Sequence, residues 1–214
     1  TAMTSPRSRW WRARRWGARA IGVCALGLAA LALPGMAASQ APVPPLDLVG
    51  QIGGEVGDVE VSAGVAYAAI GPRLVALDVT VPGPPRWLGQ SEVLPGRARA
   101  VAVEGDTAAV AMARAGLALI DVTQPGRPRL LGTMVTAGEA VDVALAGRLA
   151  YVATVGSGLW VVDVTDPGEP QTVARLASAS AQRAVRLAAG RAYLADALGL
   201  RVVDVSDPSA PEAL

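Results

Sequence analysis

The sequence predicts an all-β molecule, a β-propeller built from four-stranded blades of about 42 residues. Three observations predict it. One motif occurs four times at nearly constant spacing. The apolar runs are four to seven residues long, rich in Val and bounded by Gly, Pro and Asp. Prolines recur at fixed offsets, where a helix could not keep its hydrogen bonds.

The repeat centres on an aspartate. RLVALDVTVPGPP from Arg73, GLALIDVTQPGRP from Gly116, GLWVVDVTDPGEP from Gly158 and GLRVVDVSDPSAP from Gly199 align on Asp78, Asp121, Asp163 and Asp204. Each copy has Leu four positions earlier (Leu74, Leu117, Leu159, Leu200) and Pro four positions later (Pro82, Pro125, Pro167, Pro208). This third run, as in Leu159-Trp160-Val161-Val162, is apolar on both faces, so a strand formed from it must be covered on both sides.

The other runs follow in order. A first, alternating run precedes each motif: Val59-Glu60-Val61, Val101-Ala102-Val103, Val141-Asp142-Val143 and Val185-Arg186-Leu187. A Gly-containing turn leads to a second run, as in Ala66-Tyr67-Ala68, Ala150-Tyr151-Val152 and Ala192-Tyr193-Leu194, with Ala109 in the tyrosine position of the second copy. A fourth run, Arg86-Trp87-Leu88-Gly89 and Arg129-Leu130-Leu131-Gly132, follows the double-proline turn. A single such blade cannot bury its two faces, and stacking supplies the cover. The units fall near 53–89, 96–132, 138–174 and 181–214.

Residues 46–52 resemble a fourth run and are read as an outer strand through which the chain enters, closing a ring. Pro211 to Leu214 begins a further fourth run and stops, so the chain reads as truncated, with Leu200 to Val205 part of an exposed edge.

Charge divides the chain. Residues 1–45 hold six Arg and no acid, whereas 46–214 hold 13 Arg against 18 Asp and Glu. An Arg-rich start, an uncharged stretch from Ala20 to Leu33, the breakers Pro34 and Gly35, and small residues at Ala37 to Ser39 predict a secretory leader over 1–39. The uncharged stretch is too short for a membrane span, which needs roughly 20 residues. No stable membrane insertion is expected once the leader is cleaved. Trp16-Gly17-Ala18 weakens a twin-arginine reading of Arg14-Arg15, and bulky Val23 weakens a lipoprotein reading of Cys24. Residues 40–45 (QAPVPP) read as a linker. The expected location is outside the cytoplasm: periplasm, cell surface or medium.

GLWVVDVTDPGEP and GLRVVDVSDPSAP resemble the LVIVD repeat family of exported or cell-surface proteins, over about residues 46–214. The first copy departs, with Arg73 for Gly and Val81 for Asp, so its turn is expected to differ. The resemblance implies a β-propeller in an extracytoplasmic setting and no particular reaction.

The chemistry-bearing residues are few. The chain has no His and one cysteine, Cys24, which excludes imidazole-based triads, His zinc sites and internal disulfides. No phosphate loop, GxSxG elbow or Cys/His metal spacing occurs, and no cofactor is expected. The acidic body argues against nucleic acid.

Asp78, Asp121, Asp163 and Asp204, with Pro82, Pro125, Pro167 and Pro208, read as a turn motif in which Asp and Thr bond nearby amides. Cation binding by Asp163 with Asp166 and Asp204 with Asp207 is the competing reading. Tyr67, Tyr151 and Tyr193, and Trp87 and Trp160, are expected to pack in the core or between blades. Arg97, Arg99, Arg127 and Arg129 are the loop residues expected first to touch an acidic partner, if one binds.

The sequence thus favours a non-catalytic exported scaffold that binds protein or glycan, with an enzyme lined by channel carboxylates as the alternative. Carboxylates clustered at the channel mouth would indicate the enzyme, and carboxylates in outer turns the scaffold.

Overall fold

The computed structural model describes residues 55–214, which belong to one unit, Leu46–Leu214. The leader, the linker and the entering strand expected over 46–52 lie outside the described residues.

Among the described residues, alternating Val-rich runs separated by Gly turns give sixteen strands and no helix. The first sheet holds β1 (Val56–Ser62), β2 (Val65–Ile70), β3 (Arg73–Asp78) and β4 (Arg86–Gln90). The second holds β5 (Ala100–Glu104), β6 (Thr107–Ala111), β7 (Leu117–Asp121) and β8 (Arg129–Met134). The third holds β9 (Glu139–Ala146), β10 (Leu149–Val155), β11 (Gly158–Asp163) and β12 (Gln171–Leu176). The fourth holds β13 (Gln182–Ala188), β14 (Arg191–Asp196), β15 (Gly199–Asp204) and β16 (Glu212–Ala213). Each sheet is an antiparallel meander in sequence order, and the sheets do not merge into one barrel.

The core lies between sheets. Tyr67, Leu74 and Ala76 of the first sheet meet Val101, Val110 and Ile120 of the second. Leu117 and Leu119 meet Val143, Val152 and Val162, and Leu159 and Val161 meet Val185, Leu194 and Val203. The period-two alternation of strands explains this: successive residues of β7 or β11 point to the preceding and the following sheet, so both must be apolar.

The equivalent leucines expose the exception. Leu74, Leu117 and Leu159 are 0 % exposed, each under the following sheet, whereas Leu200 is 71 % exposed. Val203 and Val205, expected at an exposed edge with it, are buried because they face the third sheet.

Two glycines record how closely the sheets approach. A Cβ on Gly89 would lie 2.2 Å from the Gly126 carbonyl oxygen, and one on Gly132 would lie 2.3 Å from that of Pro167. The fourth run therefore carries Gly where it passes the next sheet's proline turn.

Three details differ from the sequence reading. The third copy of the first run aligns two residues later: Val59, Val101, Val143 and Val185 face Ala68, Val110, Val152 and Leu194 on their neighbouring strands. Trp87 is 55 % exposed, on the edge strand β4, which no further described strand covers. The hairpin before Arg73, expected to differ, has the two residues Gly71-Pro72, the same length as the Ala197-Leu198 hairpin before Gly199.

Candidate functional site

The repeat aspartates end the third strands, and all four are occupied in turns. Asp78, Asp121 and Asp163 each accept the N–H and the hydroxyl of the Thr two residues on, at 2.9 and 2.6 Å, 2.9 and 2.5 Å, and 2.8 and 2.5 Å. Asp204 accepts the Ser206 N–H at 2.9 Å. These bonds stabilise the carboxylate and hold each group below the usual carboxylate range. Asp166 and Asp207 accept the N–H groups of Gly168 and Ser209. Among the described residues no three acidic or sulfur side chains group as a metal site.

The arginines separate. Arg127 and Arg129 sit with Asp121 and Thr123 at the outer turn of the second sheet. Arg97 and Arg99 lie just before β5, on a different surface, beside Arg183 of β13. These three, with Glu55, Gln182 and Val141, line a cavity of about 530 Å³.

This cavity is built by the repeat. Gly57, Arg99, Val141 and Arg183 stand one repeat apart from one another and all line it. In β1, β9 and β13 that residue is an extra one, skipped in the pairing with the next strand. Such a bulge re-aims the chain at the end of a strand. Gly57 lies against the second sheet, where a Cβ would come within 2.8 Å of the Arg99 carbonyl oxygen, and Val141 packs on the core, while Arg99 and Arg183 bring charge. Arg97 pairs with Glu55, but among the described residues Arg99 and Arg183 have no ion-pair partner. Gln182 is buried and accepts the Thr154 N–H through Oε1 at 3.2 Å.

Farther along the same inner strands, a cavity of about 330 Å³ is lined by Asp58, Glu60, Glu104 and Arg186. Two of its carboxylates hold backbone. Asp58 accepts the N–H of Val59 at 2.8 Å and of Val101 at 3.1 Å. Glu104 accepts the Gly147 N–H, at 3.0 Å to the nearer oxygen.

Asp142, equivalent to Asp58, repeats the bridge one sheet pair later. It accepts Val143 N–H at 2.9 Å, Val185 N–H at 2.7 Å and Arg186 Nη1 at 2.8 Å. Burial pushes its carboxyl up, outweighing the lowering by those N–H groups and by Arg186. Two aspartates thus serve the four equivalent valine amides, and Ala100 and Ala184 occupy the alternate positions. Sequence reading missed this bridge because Asp142 resembles an ordinary polar residue of an alternating strand. Its place two whole repeats after Asp58 is the signal that carries it.

Tyr67 and Tyr151 are buried between sheets, whereas Tyr193 faces the uncovered side of the fourth sheet and is only partly buried. Trp160 packs on the core between the second and third sheets, donates to Ser157 Oγ at 2.8 Å, and lies 5.3 Å from the Arg175 guanidinium.

Comparison with known proteins follows the repeat. The family model for the LVIVD repeat matches residues 95–136, 137–177 and 183–213. No curated protein matches the chain. Among solved structures, the computationally designed Ika4 protein is similar at TM-score 0.61 and 8 % identity, covering 74 % of this chain and 98 % of that one. The computationally designed Ika8 protein gives TM-score 0.49 and 11 % identity, covering 73 % of this chain and 61 % of that one.

Proposed function

The chain belongs to the LVIVD repeat family, and from that premise we propose that it is an exported β-propeller scaffold, non-catalytic, which binds a protein or glycan partner through the end of its inner strands. The observation that carries this reading is the engagement of the carboxylates. The repeat aspartates close turns, and Asp58, Glu104 and Asp142 hold backbone N–H groups. A general acid or base must be free to reach a substrate proton, and these groups are committed to the fold. The leader-like composition of residues 1–39 supports export.

The second reading, an enzyme, draws on the cavity shared by Asp58, Glu60 and Glu104, where Glu60 alone accepts no bond from a described residue. The experiment expresses the full chain in a bacterial host, sequences the N-terminus of the exported form, and screens it against glycan and surface-protein arrays and a panel of chromogenic esters, glycosides and phosphoesters. The expected result is cleavage near residues 37–39, saturable binding and no turnover. Turnover abolished by Glu60→Gln in a folded protein would replace the scaffold with the enzyme.

A further inference from the structure

We propose that the cavity lined by Arg99, Arg183 and Gln182 binds an organic anion carrying at least two carboxylates. The inference deepens the scaffold reading, on which it rests, by naming the chemistry of the ligand.

Residues 57, 99, 141 and 183 hold one place in four successive sheets, so whatever they carry converges on one cavity. Gly57 and Val141 carry no charge there, and the two arginines supply it from the second and fourth sheets. A cavity of about 530 Å³ exceeds what a single carboxylate fills and falls in the range of small-molecule sites.

Sign comes next. Arg97 is neutralised by Glu55, but among the described residues Arg99 and Arg183 are not paired. Each presents a planar fork of donors that matches one carboxylate in two-point fashion. Two such forks on separate sheets call for two carboxylates on one ligand. Gln182 adds an uncharged contact: with Oε1 held by Thr154, its Nε2 donates to no described residue. The neighbouring cavity carries Asp58, Glu60 and Glu104, so it repels the same ligand and confines it to the basic end. Among the described residues no aromatic ring lines the basic cavity, which separates it from a platform for neutral sugars.

Citrate is the first probe, titrated calorimetrically into the full-length protein at about 50 mM salt, where surface charge is weakly screened. Digalacturonate, which carries its carboxylates on a sugar, is the second probe, and a neutral disaccharide is the control. Binding at about 1 mM or tighter is expected for at least one anion. The tighter of the two identifies whether the source is a free acid or an acidic saccharide. Arg99→Gln and Arg183→Gln should each weaken it about tenfold, the cost of one charge-assisted pair. The double variant should abolish binding, and Arg86→Gln, at an outer turn, should leave it intact. Circular dichroism confirms that the variants, all at exposed side chains, retain their fold. Failure of both anions to bind, or binding unchanged in the double variant, overturns the proposal. Array binding that persists alongside that failure leaves the scaffold reading standing.

Discussion

Asp163 shows how much one side chain decides in this protein. The Thr165 hydroxyl and then the Thr165 N–H hold its carboxyl below the usual range. The folded state therefore holds the ionised form more strongly than the unfolded chain does. Its stabilisation is fully present above the unfolded carboxylate value of about 4 and is lost as pH falls through the lower folded value. Asp78, Asp121 and Asp204 add in the same direction. Asp142 acts oppositely: its raised value favours the protonated form, so its ionisation lowers stability as pH rises through the carboxylate range. Asp163→Asn should lower the melting temperature at about pH 6, and the gap from the parent should narrow towards about pH 3. Thermal melts followed by circular dichroism across that range check it, and a gap independent of pH would remove the charge from the explanation.

At the scale of the element, four strands share one sequence pattern and differ in their cover. Leu159→Ala, which opens a cavity between the third and fourth sheets, should cost about 2–5 kcal/mol. Leu200→Ala, at the equivalent but exposed position, should change stability by less than about 0.5 kcal/mol. Denaturant titrations of the two variants test this, and equal costs would mean that the Leu200 face is covered in solution. The contrast also shows what was legible in the sequence. The apolar run Leu159 to Val162 declared a strand covered on both faces, because strand periodicity admits no other reading. The turn role of Asp163 followed from its distance to Thr165 and Pro167, a strictly local matter. Arg183 stands two whole repeats after Arg99, but that both line one cavity was not legible, since the bulge that places Arg183 depends on pairing between strands and leaves no local signature. The exposure of Trp87 escaped for a related reason: composition marks a large aromatic as core, and only strand order places it at an edge.

Across the whole molecule, backbone amides on one sheet are satisfied by side chains of another. Asp142→Ala leaves the amides of Val143 and Val185 without acceptors, on two sheets at once, and should cost about 2–3 kcal/mol. Hydrogen exchange read by mass spectrometry should speed up in peptides from both β9 and β13 while β1 and β5 stay protected. Acceleration confined to β9 would mean that the bridge does not join the two sheets. Exchange spreading evenly over all sixteen strands would mean that the sheets open only together.

The same bridge sets a rule of parity. A carboxylate at the first position answers for its own strand and for the next, so the second strand can carry alanine there, and the pattern begins again at the third. Lengthening such an array by one copy would orphan an amide unless the newcomer brought its own acid, whereas copies added as couples inherit a complete arrangement. The grammar of this polypeptide is written in couplets, although its rhyme returns with every line.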